Sequence, residues 1–299
     1  MGYLACALTM AGLHVAAACI AHVLHGKKHG HYLPMLLAVA ALGVPFYLPV
    51  HPAWVRFVFA LTAAMGVLRC VDLWRDKTPR PLFFRIQHIV TPFDTRRITR
   101  GPSGPPAGQT FTVIAFAILS VPAFYLVRVV APAHAGTSGL LLRWASGLLF
   151  AYALSDVVYG GLRTALMAAG FDVYDFHRMP VLSRTVKEFW GERWNRTVSA
   201  WFAEHLLRPL ARRGHAKLGV LASFLASATL HSYLVLVAIG GPMTLVMFGY
   251  FVVQGAIVLL ELRVRAARWT PTLGHAWTVT LMVVTSPMFV EPLLRSFEL

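Results

Sequence analysis

Apolar stretches of about 20 residues alternate with shorter polar stretches along the whole chain. A helix of that length rises about 30 Å, which is the thickness of the hydrocarbon core of a bilayer. The pattern therefore predicts an all-α fold, a polytopic bundle of about eight transmembrane helices. The predicted spans are residues 3–24, 32–50, 53–74, 111–132, 139–164, 216–240, 242–264 and 271–293.

Two of the polar stretches are too long to be simple connectors. The pattern of apolar and polar residues at 83–89 predicts a short amphipathic helix. Residues 184–213 place aromatic and aliphatic side chains at helical spacing, with basic residues between them. We expect this second segment to lie in the membrane interface, with its rings toward the lipid and its charges toward water. Its apolar positions are Phe189, Trp190, Trp194, Val198, Trp201, Phe202 and Leu206.

The composition is that of a membrane protein. Hydrophobic residues make up 57% of the 299 residues and charged residues only 13%, against roughly 45–50% and 25% in average proteins. We expect a single membrane domain over residues 1–299. The first apolar run has no basic segment before it, which favours a retained span over a cleaved signal peptide. The three cysteines lie in apolar segments and fit neither a disulfide framework nor a zinc site, so we expect small buried side chains.

The formal net charge of +15 does not indicate a nucleic-acid partner. The basic residues lie in loops between apolar runs, where membrane topology and lipid headgroups account for them. If the N-terminus is outside, 21 of the 27 Lys and Arg residues fall in the inner loops. This asymmetry predicts both termini outside and the basic loops in the cytoplasm. The frequent Ala and Arg suggest a bacterial source, and hence an inner membrane.

One histidine lies deep inside a predicted span. His231 is about 22 Å along its helix, counted from Ala216. Ionisable residues at such depth are costly and usually face the bundle interior or a wet cavity. Ser223, Ser227 and His231 follow one another at four-residue spacing, so they share one helix face. A functional imidazole and a structural histidine among small packing residues both fit this pattern.

A distinctive motif precedes that span. Residues 189–195 are Phe-Trp-Gly-Glu-Arg-Trp-Asn, and His231 follows Asn195 by 36 residues. With Pro180, Ser183 and the segment at 284–289, these residues resemble the wax synthase-like branch of the membrane-bound O-acyltransferase superfamily. Members of that superfamily pair an Asn or Asp on an inner segment with a His in the following span.

The resemblance implies an O-acyltransferase of the acyl-CoA:alcohol type, with a buried tunnel for acyl transfer. His231 would be the general base for the hydroxyl of a lipophilic alcohol, and Asn195 would orient the reacting groups. Acyl-CoA is then a co-substrate, membrane lipids surround the chain, and no further cofactor or metal is implied. Expected substrate contacts are Trp190, Trp194, Arg193, Ser227 and Ser223, and expected contacts with acyl-CoA are Arg184, Lys187 and Arg196.

Two other functions stay open from the sequence. The same chemistry fits a sterol, a diacylglycerol or a secondary metabolite as acceptor. A transporter or lipid-binding membrane protein with His231 as a proton relay is the alternative from another class. That alternative predicts paired half-helices or a chain of acids through the bundle, whereas the sequence has isolated acids.

Several polar residues lie outside the motif. His22, His25, His29 and His31 resemble a metal cluster, but no carboxylate or cysteine ligand stands beside them in the sequence, so a wet interfacial loop is preferred. Polar residues within or near the ends of predicted spans either line a cavity or hold helices together. They are Asp156, Gln254, Glu261 and Glu291.

Overall fold

The computed structural model describes residues 2–102 and 104–299, and nearly all its regular structure is helical. Within these residues, six helices are long and apolar enough to cross a membrane. The predicted all-α, polytopic fold is therefore confirmed. Numbered in chain order, the six are α1 (Tyr3–Val23), α3 (Ala53–Arg75), α5 (Ala107–Tyr125, extended by irregular turns to Ala133), α6 (Gly136–Ala168), α10 (Ala216–Ala238) and α11 (Met243–Val264).

Residues 32–50 do not form the predicted span. They form a shorter helix, α2 (Tyr32–Ala41), and a 3₁₀ turn, Val44–Tyr47. Pro45, Pro49 and Pro52 have no backbone N–H to donate, so a helix continued through this stretch would lose a backbone hydrogen bond at each of them.

The last predicted span is divided into two helices. These are α12 (Pro271–Thr285) and α13 (Pro287–Ser296), and their axes differ by 44°. The break falls at Ser286, because the ring of Pro287 cannot take part in the hydrogen-bond ladder of α12. If the bent pair is one span, the described residues contain up to seven, fewer than the predicted eight.

The described residues form two compact units. The first comprises the described residues up to Arg97, with Ser232–Thr244 and Arg295–Glu298, and the second comprises those from Ile98 to His231, with Leu245–Leu294 and Leu299. The single membrane domain over residues 1–299 stays a prediction.

In the first unit, a buried network of charges joins α3 to the helix α4 (Leu82–Val90), which confirms the amphipathic helix predicted at 83–89. Asp72 Oδ2 accepts hydrogen bonds from Arg69 at 3.0 Å and from His88 at 3.2 Å, and Arg96 pairs with Oδ1 at 3.0 Å. Asp72 and His88 are fully buried. Because each buried charge has a partner, the network offsets its desolvation and fixes α4 against α3.

In the second unit, an ion pair ties α6 to α13. Arg143 Nε lies 2.9 Å from Glu291 Oε2, and the indole N–H of Trp144 donates to the same oxygen at 3.0 Å. Glu291 therefore orients the last helix. A two-residue antiparallel pairing also joins β1 (Thr99–Arg100) to β2 (Phe171–Asp172) in this unit.

The aromatic segment at 184–213 is not the continuous interfacial helix that its periodicity predicts. It is broken at Trp194 and Asn195, and the backbone before and after the break contains π-helical turns. Such turns are rare and occur frequently at functional sites. The pieces are α7 (Val186–Glu188), a π-turn at Phe189–Arg193, α8 (Arg196–Phe202), a second π-turn at Ala203–Leu207 and α9 (Arg208–Arg212).

Candidate active site

A cavity of about 280 Å³ in the second unit is lined by both Asn195 and His231. The broken aromatic segment forms one wall, and α10 forms another. The segment therefore dips toward the half-buried His231 near residues 191–195. Five of the residues expected to contact the substrate or acyl-CoA also line the cavity, namely Lys187, Trp190, Trp194, Ser223 and Ser227.

Two polar side chains of α11 hold the aromatic segment in place. Gln254 Oε1 accepts a hydrogen bond from the indole N–H of Trp190 at 3.1 Å, and its amide nitrogen donates to Thr285 at 2.8 Å. Glu261, two turns further along α11, accepts from the backbone N–H of Val186 at 2.7 Å and of Lys187 at 2.9 Å. Both side chains are buried. Their role is to anchor the segment, because a buried acceptor is stable only with its donors in place.

The hydrogen bonds of His231 define its tautomer. Nδ1 lies 2.9 Å from the carbonyl oxygen of Ser227, and a carbonyl can only accept, so Nδ1 carries the proton. The neutral imidazole then has an unprotonated Nε2, which makes no hydrogen bond within residues 2–102 and 104–299. The ring packs against Phe251, with centroids 4.3 Å apart. An oriented, unprotonated nitrogen at a cavity wall suits proton abstraction.

Asn195 begins helix α8 from a left-handed backbone conformation, with φ at +38°. Its Oδ1 accepts a hydrogen bond from the backbone N–H of Val198 at 3.2 Å, which caps the helix. Asn tolerates the left-handed region better than most residues and is also a favoured N-cap. Asn195 Oδ1 is therefore engaged in the fold, while its Nδ2 makes no hydrogen bond among the described residues.

His177 holds Asn195 and was not identified from the sequence. Ser155 donates its hydroxyl proton to the carbonyl of Tyr152 at 2.8 Å, so the hydroxyl oxygen must accept from His177 Nε2 at 3.0 Å. Nδ1 of His177 is then unprotonated and accepts the backbone N–H of Asn195 at 3.1 Å. The imidazole also packs on Trp194, with centroids 4.2 Å apart. No spacing in the sequence indicates this contact, because the partners are 18 residues apart in irregular backbone.

The titration of His177 predicts an acid-sensitive fold. Burial lowers the pKa of His177 from 6.5 to about 3. Between these values the unfolded chain binds a proton that the folded chain does not, so the free energy of unfolding falls as the pH falls. We expect the unfolding temperature of a His177→Asn variant to fall less steeply than that of the wild type between about pH 6.5 and about pH 5.

The matched control is His215→Asn, because His215 is exposed and lies outside the cavity. Its unfolding temperature should follow the wild-type pH dependence. Parallel curves for all three proteins would contradict the role assigned to His177.

The arginines in and beside the motif do not line the cavity, whereas the tryptophans of the motif do. Arg193 Nε pairs with Glu188 at 2.6 Å, and its Nη1 donates to the carbonyl of Arg178 at 3.1 Å. Arg193 thus fastens the motif to the preceding loop, and neither it nor Arg184 or Arg196 lines the cavity. The proposed contacts of these arginines with substrate or acyl-CoA stay predictions.

The match to known proteins centres on this part of the chain. A family model described as "Membrane bound O-acyl transferase family" matches residues 175–253. That range includes His177, the aromatic motif, His231 and the first half of α11.

Curated relatives from Arabidopsis thaliana match over longer stretches. "Probable long-chain-alcohol O-fatty-acyltransferase 3" is 31% identical over 142 residues, which are 42% of this chain and 42% of the relative. "Probable long-chain-alcohol O-fatty-acyltransferase 9" is 26% identical over 213 residues, 66% of this chain and 62% of the relative. The matched segment spans less than half of the first relative. The resemblance of this multi-pass membrane chain to the membrane-bound O-acyltransferase family is thus confirmed.

Proposed function

We infer that the chain is a membrane O-acyltransferase, which moves a fatty acyl group from acyl-CoA to the hydroxyl group of a lipophilic alcohol. The observation that carries this proposal is the cavity that His231 and Asn195 both line. The names of the plant relatives support a long-chain alcohol as the acceptor.

In the proposed reaction, Nε2 of His231 takes the hydroxyl proton of the alcohol as the oxygen attacks the thioester carbonyl. The bond to sulfur then breaks, and the thiolate of coenzyme A leaves and receives the proton from the imidazolium. The products are an ester and free coenzyme A. Direct attack needs no acyl-enzyme, and the amide of Asn195 would stabilise the oxygen on which negative charge develops.

The cavity is small for two long-chain substrates. Its volume of about 280 Å³ is near the lower end for small-molecule sites. It suits the reacting groups, while the hydrocarbon chains would extend along apolar side chains that line it, such as Val198, Phe202 and Phe224. The backbone at Gly191 borders open space, because a Cβ there would meet no atom within 4 Å. A longer acyl tunnel stays a prediction.

The cavity offers a cation for binding the acyl donor, acyl-CoA. Lys187 lines the cavity and is exposed to solvent. An exposed ammonium can meet a phosphate of coenzyme A as a flexible point charge that keeps part of its hydration. On the same segment, Arg184 is exposed and Arg196 is half-buried. Both would attract the phosphates of coenzyme A at longer range.

Product analysis tests the proposal. The purified chain is supplied with palmitoyl-CoA and, in parallel, with hexadecanol, cholesterol and a diacylglycerol, and the esters are measured by mass spectrometry. We expect hexadecyl palmitate and free coenzyme A in equal amounts. Ester formation only from cholesterol or diacylglycerol would reassign the acceptor, and the absence of any ester would favour the transport alternative.

A further inference from the structure

A second cavity, of about 360 Å³, lies in the first unit, away from the residues assigned to acyl transfer. It is formed where the candidate spans α1 and α3 both end, at the loop that leads into α2. Its floor is apolar, and its lining includes Ala21, Leu24, Pro34, Cys70, Leu73 and Trp74.

The rim of this cavity carries an excess of positive charge. Lys27, Lys28 and Lys77 line it, and among residues 2–102 and 104–299 none of them is paired with a carboxylate. The acid at the rim, Asp76, is already engaged, because it accepts from Arg80 Nε at 3.3 Å and from the backbone of Thr78. The cationic side chains are therefore available to an anion.

The loop that presents these lysines is held in a defined shape. The ring of His31 stacks on Trp74, with centroids 4.5 Å apart and planes at 17°. Gly30 packs so closely that a Cβ there would lie 2.2 Å from the carbonyl oxygen of Leu24, so this position requires glycine. His25 and His31 also line the cavity, but the neighbouring lysines would repel a metal cation.

We propose that this cavity binds the phosphate-bearing headgroup of an anionic phospholipid. The lysines would contact the phosphate, and the apolar floor would contact the glycerol and the first methylene groups. Its place at the ends of two candidate spans puts it at headgroup depth. Inorganic phosphate and coenzyme A share the phosphate but lack the adjoining hydrocarbon, so they should bind more weakly.

Native mass spectrometry of the full chain in detergent tests this assignment. The probes are dioctanoyl phosphatidylglycerol, dioctanoyl phosphatidylcholine, inorganic phosphate and coenzyme A. We expect phosphatidylglycerol to saturate one site, with the other three probes at least about tenfold weaker. The triple variant Lys27→Gln, Lys28→Gln, Lys77→Gln should lose about 100-fold, since each lysine near a lipid surface contributes about fivefold.

The matched control replaces Arg212, Arg213 and Lys217 with Gln. These exposed residues carry the same total charge and line neither cavity. The control should bind phosphatidylglycerol like the wild type. Equal losses in the two triple variants, no loss in either, or equally tight binding of phosphatidylcholine, phosphate or coenzyme A would each overturn the assignment.

Discussion

Replacing His231 with asparagine is expected to lower acyl transfer by about 10²- to 10⁴-fold, the usual contribution of a general base. The amide nitrogen of Asn can take the place of Nδ1 and keep the hydrogen bond to the carbonyl of Ser227, which is 2.9 Å long in the wild type. What Asn lacks is an equivalent of the unprotonated Nε2. The variant therefore removes the base while it keeps the local hydrogen bond, and His231→Ala should be at least as inactive.

The measurement is the rate of ester formation from labelled palmitoyl-CoA, with the unfolding temperature of each variant as a check of the fold. Thr229→Val is the matched control, because Thr229 lies on the same helix, donates to the carbonyl of Leu225 and does not line the cavity. We expect this control to keep nearly full activity. Near-wild-type transfer by a folded His231→Asn protein would show that Nε2 is not the base.

Hydrophobic periodicity predicts much of the fold because it reports local structure. The bounds of α1, α3 and α11 agree with the predicted spans to within a few residues. It fails at residues 32–50 and at Ser286, where apolar composition continues but proline removes backbone donors. Hydrophobicity alone does not distinguish a long helix from two short ones.

The candidate site, too, could be predicted from the sequence only in part. Asn195 and His231 were identified from residue type, spacing and a family resemblance, and the structure brings them to one cavity. The residues that hold them there were missed or left without a role. Glu261 meets the backbone of Val186 across 75 positions of sequence, and His177 meets Asn195 through irregular backbone. Such contacts depend on tertiary packing, which a local pattern does not encode.

Replacing Asn195 with aspartate is expected to leave the fold intact and to lower acyl transfer by about 10²-fold, the effect of removing one donor to a developing oxyanion. Aspartate is as good an N-cap as asparagine and also tolerates a positive φ, which is +38° here. It differs by lacking the Nδ2 donor and by carrying a negative charge. Since Oδ1 caps Val198, Nδ2 is the part of the side chain left for substrate.

Two further variants separate the structural role from the chemical one. Asn195→Gly keeps the freedom to adopt a positive φ but loses the side-chain cap, at a cost of a few tenths of a kcal/mol. Asn195→Ala loses both and should be destabilised by about 2 kcal/mol. Unfolding temperatures should therefore rank the wild type and Asp highest and Ala lowest, whereas activity should fall in all three variants. If Asn195→Asp retains wild-type activity, the amide donor has no part in the reaction, and the importance of Asn195 lies in the helix start that shapes the cavity wall.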